Sequence, residues 1–336
     1  MYQFLEGLLT LISPENIVGT ISFYLLNILL GLYLLTKGGD WLCDHCSNLA
    51  SLLGVPSVII GLTIVSVATS APELFTSIAA LRSNSQGLIL GNIIGSNIAN
   101  IGLILGICIL IKPIDTRKSI TTIQISLLMM LTLLLCTLLA FGKSRGLGFW
   151  PGVFLLVFIF AYLIYLTWEG LKNRNGKTEK DNTINKRKVV ISIIMVFFAT
   201  TALWTGSDTL VFGSKKLALT VGVPEELIGF SLIAIGTSLP EMAASISLIK
   251  KAEIKMLLGN ILGSNIFNIA LVGGVAGVLG PIIPSTPKPW IDYFSLTLVT
   301  GIFCIWLRGK LLNRTEGIFL LILYLAATTA TWLFNG

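Results

Sequence analysis

Residues 54–106 recur as residues 222–274. At a constant offset of 168 and without gaps, more than 20 of the 53 positions are identical. The shared strings are concentrated: Gly61 with Gly229, Thr69-Ser70 with Thr237-Ser238, Pro72-Glu73 with Pro240-Glu241, Gly91-Asn92 with Gly259-Asn260, Gly95-Ser96-Asn97 with Gly263-Ser264-Asn265, and Asn100 with Asn268. An internal repeat restricts the fold more than any single motif, because whatever one half builds the other must build again.

The setting of that repeat is a membrane. Of 336 residues, 54% are hydrophobic and 12% charged, whereas water-soluble domains carry about 25% charged residues. Apolar runs such as Ile120–Phe141 and Phe149–Trp168 are apolar on all faces, which fits helices and excludes a transmembrane barrel with its short alternating segments. Ten spans of roughly 20 residues or more are expected at 19–38 (continuing amphipathically to 53), 56–81, 87–111, 119–141, 149–170, 189–220, 224–249, 254–279, 291–307 and 316–334. The long polar stretch Lys172–Lys188 divides the chain into an N-terminal interfacial segment (1–18), a first five-helix repeat (19–170), a linker (171–188) and a second five-helix repeat (189–336). Five spans per half is an odd number, so the two copies enter the membrane in opposite directions. The fold class is therefore an all-α polytopic membrane protein with two inverted five-helix repeats, an architecture of secondary transporters.

The net charge of +7 does not indicate nucleic acid, because the basic residues lie between apolar runs without an aromatic stacking platform. They read instead as topology signals. Loops on the face of the linker hold sixteen Lys and Arg, including Lys112, Arg117, Lys250, Lys251, Arg308 and Lys310, against six on the other face. The positive-inside rule then puts the linker in the cytoplasm and both termini outside. Met1–Leu11 lacks a basic n-region, so no cleavable signal is expected there. Five cysteines, an odd count lying mostly within apolar runs, do not make a disulfide framework.

Glu73 and Glu241 fall in the middle of spans two and seven, where a carboxylate costs at least a few kcal/mol unless it has a partner, a proton or a cation. Each follows a proline. Pro72 and Pro240 lack the N–H that would bond the carbonyls of Ala68 and Gly236, so each helix bends or breaks one turn from its glutamate. Thr69 and Thr237 stand four residues before Glu73 and Glu241 on the same helix face, beside Ser70 and Ser238. In spans three and eight, Asn92, Ser96 and Asn100 and their copies Asn260, Ser264 and Asn268 recur every fourth residue as polar stripes. Glycines 91, 95, 259 and 263 beside them permit close helix approach. The ligand set is all oxygen, which suits hard cations rather than zinc or copper. Two carboxylates balance one Ca²⁺ or two Na⁺. Left empty they repel one another and attract a proton, so cations compete for one charge-neutral site. These residues suggest a cation antiporter.

Ala68-Thr-Ser-Ala-Pro-Glu73 and Gly236-Thr-Ser-Leu-Pro-Glu241, each followed by Gly-Asn-x-x-Gly-Ser-Asn-Ile-x-Asn, resemble the two α-repeats of the calcium/cation antiporter superfamily, with prokaryotic sodium/calcium exchangers the nearest type. The resemblance covers about residues 19–334. It implies exchange of several Na⁺ for one Ca²⁺, with alternating access by sliding of the first and sixth helices. Glu73 and Glu241 would then be ligands of both ions, and Thr69 and Thr237 would complete the calcium site. Ser70, Ser96, Ser238 and Ser264 would serve sodium, with backbone carbonyls at Ser66 and Ala234, while Asn100 and Asn268 line the centre. Three positions depart from the pattern: Ala68 stands where Gly is usual, Ser66 where Ala is common, and Asn268 where archaeal-type and potassium-dependent members carry Asp. The last change removes a third carboxylate and argues against potassium co-transport.

The expected function is Na⁺/Ca²⁺ antiport at a mid-membrane site, in a prokaryotic inner or plasma membrane, with no enzymatic activity. No cofactor and no obligate protein partner are expected; the lipid bilayer and the ions Ca²⁺ and Na⁺ (or H⁺) are the partners. The alternative is a Ca²⁺/H⁺ antiporter of the same fold. A cation channel fits less well, as does an aspartic-type intramembrane protease, which needs two Asp sharing a proton. Cys43-Asp-His-Cys46 is half of a zinc motif without a second pair, and reads as helix-surface residues. Asp40 and Asp208, related by the same offset, suit either a structural hydrogen bond or ion entry, and Trp41 and Trp204 suit a membrane interface. The short linker leaves no room for a large regulatory domain.

Overall fold

A computed structural model of the chain describes residues 17–82, 86–117, 120–141, 146–172, 186–220, 236–284 and 288–335. The N-terminal segment, most of the linker and the first half of the seventh span thus lie outside the described residues. The described helices are α1 (Ile17–Leu53), α2 (Ser57–Arg82), α3 (Gln86–Ala99, continuing through Asn100–Leu105 and Gly106–Ile111), α4 (Thr122–Phe141) and α5 (Phe149–Lys172). They continue with α6 (Lys186–Thr220), α7 (Leu239–Lys250), α8 (Ile254–Leu279), α9 (Trp290–Trp306) and α10 (Arg314–Asn335). Eight of them are long and apolar enough to cross a membrane. Apart from the start of the seventh span, which lies outside the described residues, ends fall within a few residues of the expected ones, because polar and proline positions mark them.

The distribution of side chains is that of a protein in lipid. Leu26, Leu29, Phe160, Ile164 and Phe197 are exposed on the outside, while Ser66, Thr69, Glu73, Ser96, Asn100, Glu241, Ser264 and Asn268 are buried. Hydrocarbon solvates the outer apolar surface, so the polar groups gather inside.

α1 and α6 contain 37 and 35 residues. At 1.5 Å per residue each exceeds 50 Å, well beyond a hydrocarbon core of about 30 Å. They lie antiparallel along one another: a Cβ at Gly31 would sit 2.6 Å from Leu210 N, and one at Gly206 would sit 2.9 Å from Leu35 N. Such close backbone approach needs glycine. α8 crosses α2 as closely, since a Cβ at Gly61 would overlap the carbonyl of Met256 and one at Gly259 the carbonyl of Val58.

Two loop pairings tie the halves together. The strands β1 (Ile114–Asp115) and β2 (Leu311–Leu312) join the α3–α4 and α9–α10 loops in antiparallel register. An isolated bridge joins Leu147 to Ile282, linking the α4–α5 and α8–α9 loops. Ile114 and Ile282 differ by the 168-residue offset, so each half contributes the same loop position to a pairing on one face. These contacts are absent from the sequence reading, because two-residue strands carry no periodic signal.

One expectation is corrected. Cys43 and Cys46 do not lie on the helix surface; both are buried in the core, where α1 is covered. All five cysteines are free thiols. The same stretch of α1 is tied to α7: Ser247 Oγ donates to Asp40 Oδ1, and Lys251 beyond the end of α7 pairs with Asp44 at 2.6 Å. Trp204 stacks on Phe75 with ring centroids 5.1 Å apart, and Trp41 is partly exposed.

Candidate cation site

The break in α2 is local and has a local cause. Regular helix stops at Thr69, Ser70 adopts φ −84°, ψ 4°, and helix resumes at Ala71. Pro72 falls in the first turn of the new segment, where its missing N–H is tolerated. In the second repeat Ser238 takes φ −88°, ψ 3°, followed by Pro240 in the first turn of α7. The two breaks have the same dihedrals, as the repeat requires.

Ser70-Ala-Pro-Glu73 and Ser238-Leu-Pro-Glu241 each spell a capping box, in which serine and glutamate satisfy each other's backbone N–H groups. Neither box is complete. Ser238 makes no side-chain cap, the Glu73 carboxylate has no partner among the described residues, and Ser70 Oγ gives its proton to Glu241 Oε1 of the other repeat, at 3.1 Å. Both carboxyl groups are almost wholly buried. Neither oxygen of Glu73 has a hydrogen-bond partner among the described residues, and Oε2 of Glu241 has none either. Three of four carboxylate oxygens therefore face the interior unpaired. Native proteins rarely leave buried acceptors so, and a bound cation is the partner such oxygens fit.

Further oxygens surround them. Thr69 Oγ1 lies 3.4 Å from Ser264 Oγ and 3.5 Å from Asn260 Oδ1. Thr237 Oγ1 donates to Asn92 Oδ1 at 3.2 Å. Asn268 Nδ2 donates to Ser96 Oγ at 2.9 Å, whereas both amide atoms of the buried Asn100 are unpartnered among the described residues, as is Ser238 Oγ. The carbonyl of Ser66 accepts from Ser70 N at 2.9 Å and from Thr69 Oγ1 at 3.4 Å. The Ser66 hydroxyl is occupied, its one proton shared between the carbonyls of Gly61 at 2.7 Å and Asn260 at 3.1 Å. The structure thus places Glu73, Glu241, Thr69, Ser70, Ser96, Ser238, Ser264, Asn100 and Asn268 in the buried interior where the breaks meet the polar stripes, with Thr237 half-buried beside them. Ala234 lies outside the described residues.

Wide π-type turns run from Asn100 to Leu105 and from Asn268 to Val272, each starting at its stripe's third residue. A third runs from Gly61 to Val65, just before Ser66. Such turns offset side chains from the regular helical register and are frequent at functional sites. The sequence reading misses them because a one-residue offset leaves no mark on composition. It also passes over Ser77 and Ser245, which accept hydrogen bonds from Asn92 and Asn260 at 2.9 and 3.3 Å. Their identity across the repeat is the signal that points to them.

Inverted repeats, two broken helices and a buried all-oxygen centre define a membrane ion transporter and not an enzyme. The sodium/calcium exchanger protein family matches the chain over residues 23–168 and 191–333. The chain belongs to that family. It is 30% identical to the sodium/calcium exchanger MaX1 of Methanosarcina acetivorans, covering 91% of this chain and 97% of that one. It is 34% identical to an uncharacterized membrane protein of Methanocaldococcus jannaschii, over 89% and 95% of the two chains. Its structure resembles that of the sodium-calcium exchanger NCX_Mj soaked with Na⁺ and without Ca²⁺, with a TM-score of 0.80, 31% identity, and coverage of 92% and 99%.

Proposed function

We propose that this protein exchanges Na⁺ for Ca²⁺ across a prokaryotic inner or plasma membrane by alternating access at the buried centre between α2, α3, α7 and α8. The observation that carries the reading is the set of three unpaired carboxylate oxygens of Glu73 and Glu241. Two negative charges in a medium of low dielectric are neutralised by one Ca²⁺ or two Na⁺, so occupancy by one ion species excludes the other.

In this reading Glu73, Glu241, Thr69 and Thr237 hold Ca²⁺. The two glutamates with Ser70, Ser96, Ser238, Ser264 and the carbonyls of Ser66 and Ala234 hold Na⁺, and Asn100 and Asn268 line the centre. The two five-helix repeats, 19–170 and 189–336, form the halves, and α1 with α6 is the element that slides. Support for that movement comes from their length and their mutual packing, since two helices joined backbone to backbone can shift as one body. With sixteen basic loop residues on the linker face, the linker is cytoplasmic and both termini are outside.

Isotopic Ca²⁺ flux into proteoliposomes, with Na⁺ and H⁺ gradients imposed separately, tests the proposal. Uptake driven by a Na⁺ gradient alone is expected. Uptake driven by a proton gradient without sodium would transfer the assignment to a Ca²⁺/H⁺ antiporter, and flux without any coupling ion would indicate a channel.

A further inference from the structure

A threonine hydroxyl has one proton and two lone pairs, so it presents a lone pair to a cation only if its proton is held elsewhere. Most helical threonines give that proton to the carbonyl one turn back. Thr63, Thr132, Thr137, Thr200 and Thr209 do so at 2.6 to 3.0 Å. At the second break the pattern changes: Thr237 donates across the molecule to Asn92 Oδ1 at 3.2 Å. Thr69 keeps the ordinary partner, donating to the carbonyl of Ser66 at 3.4 Å, with Ser264 Oγ at 3.4 Å and Asn260 Oδ1 at 3.5 Å beside it. Thr237 is thus met by the asparagine of the opposite repeat.

The amide of Asn92 has only one orientation that fits. Its Nδ2 donates to the carbonyl of Glu73 at 3.0 Å and to Ser77 Oγ at 2.9 Å. A carbonyl can only accept, so the nitrogen must face Glu73 and the oxygen must face Thr237. Asn260 repeats the arrangement more loosely, with Nδ2 on Ser245 Oγ at 3.3 Å. We propose that Asn92 is a positioning residue for the ion site: it fixes the proton of the other repeat's threonine, so that the hydroxyl oxygen of Thr237 turns a lone pair toward the carboxylates. Ser77 holds the amide in place. The inference rests on the Ca²⁺-binding role proposed above for the two threonines.

The arrangement is crossed, and the crossing supplies the test. Ca²⁺ binding is measured calorimetrically on the purified full chain for Asn92→Ala, Thr237→Val, Thr69→Val and their pairs. Each single change is expected to weaken binding about tenfold, the effect of one hydrogen-bonded ligand. Asn92→Ala combined with Thr237→Val is expected to be no weaker than the worse single variant, whereas combined with Thr69→Val the losses multiply. If Asn92→Ala does not fold, the cycle is run with Asn92→Ser, which keeps a polar group against Ser77 without the reach to Thr237. Losses that multiply equally in both pairings, or an Asn92 variant that binds Ca²⁺ like the parent, overturn the positioning role alone. A parent that binds no Ca²⁺ overturns this role and the proposed function together.

Discussion

Ser70 Oγ, at the break in α2, donates to Glu241 Oε1, in the first turn of α7, over 3.1 Å. The equivalent bond in the other direction, from Ser238 to Glu73, is not made: Ser238 Oγ and both oxygens of Glu73 are unpartnered among the described residues. The site is therefore built symmetrically in sequence and used asymmetrically in this conformation. The same inequality separates Asn268, bonded to Ser96, from Asn100, which has no partner among the described residues. A transporter that exposes its site to one side at a time needs two halves that differ while sharing one sequence pattern.

Glu73→Gln and Glu241→Gln are each expected to abolish Ca²⁺ transport while leaving a folded protein. Loss of one carboxylate leaves a divalent ion with a net positive site in low dielectric. Because the Glu73 carboxylate has no hydrogen-bond partner among the described residues, its amide variant should melt at or above the temperature of the parent. Flux in proteoliposomes together with a thermal melt checks both parts, and near-normal flux in either variant would remove the shared-ligand model.

Thr237→Val and Thr69→Val should raise the Ca²⁺ concentration needed for half-maximal exchange about tenfold, roughly 1.4 kcal/mol of binding. Valine keeps the shape of threonine and removes only the hydroxyl. Equal expression and monodispersity with weakened binding would identify the hydroxyls as ligands. Unchanged binding in both would make them structural.

Ca²⁺ uptake driven by Na⁺ should fall as pH is lowered, since protons compete with the metal ions for Glu73 and Glu241. The competition has a signature: raising Ca²⁺ at fixed acid pH restores the rate. Inhibition by acid that excess Ca²⁺ leaves unchanged would place the titrating group away from the site.

Exchange should proceed without K⁺, and Asn268→Asp should alter cation dependence more than Asn100→Gln does. The central asparagines add no charge to the two glutamates, so one Ca²⁺ completes neutrality. An aspartate at 268 removes the donor that now bonds Ser96 Oγ at 2.9 Å and adds a charge, to be met by a proton or a further monovalent cation. Flux with K⁺ replaced by choline at matched membrane potential is the measurement. A parent that stops without K⁺ would show that potassium coupling does not depend on this aspartate.

Gly61→Ala and Gly259→Ala should each destabilise the protein by roughly 1–3 kcal/mol, the usual cost of overfilling a packed interior. The added methyl would overlap the Met256 or Val58 carbonyl, and backbone moves less readily than a side chain. Thermal unfolding in detergent reads the effect, and a variant as stable as the parent would show that α2 and α8 can separate at no cost.

The sequence alone determines the frame. An odd number of apolar spans per copy, joined to a 168-residue offset, forces inverted repeats, and prolines before two mid-span glutamates force two helix breaks. Both follow from local rules, chain length against bilayer thickness and the missing proline N–H, which act without knowledge of neighbours. Only the tertiary structure decides which oxygens meet. Ser70 and Glu73 spell a local capping box, yet the Ser70 hydroxyl gives its proton to Glu241, because folding brings the two breaks from opposite repeats within hydrogen-bond reach. Thr237 finds Asn92 for the same reason. The burial of Cys43 and Cys46 likewise depends on what covers α1, a surface supplied by residues far away in the chain, to which a single helix's periodicity is blind.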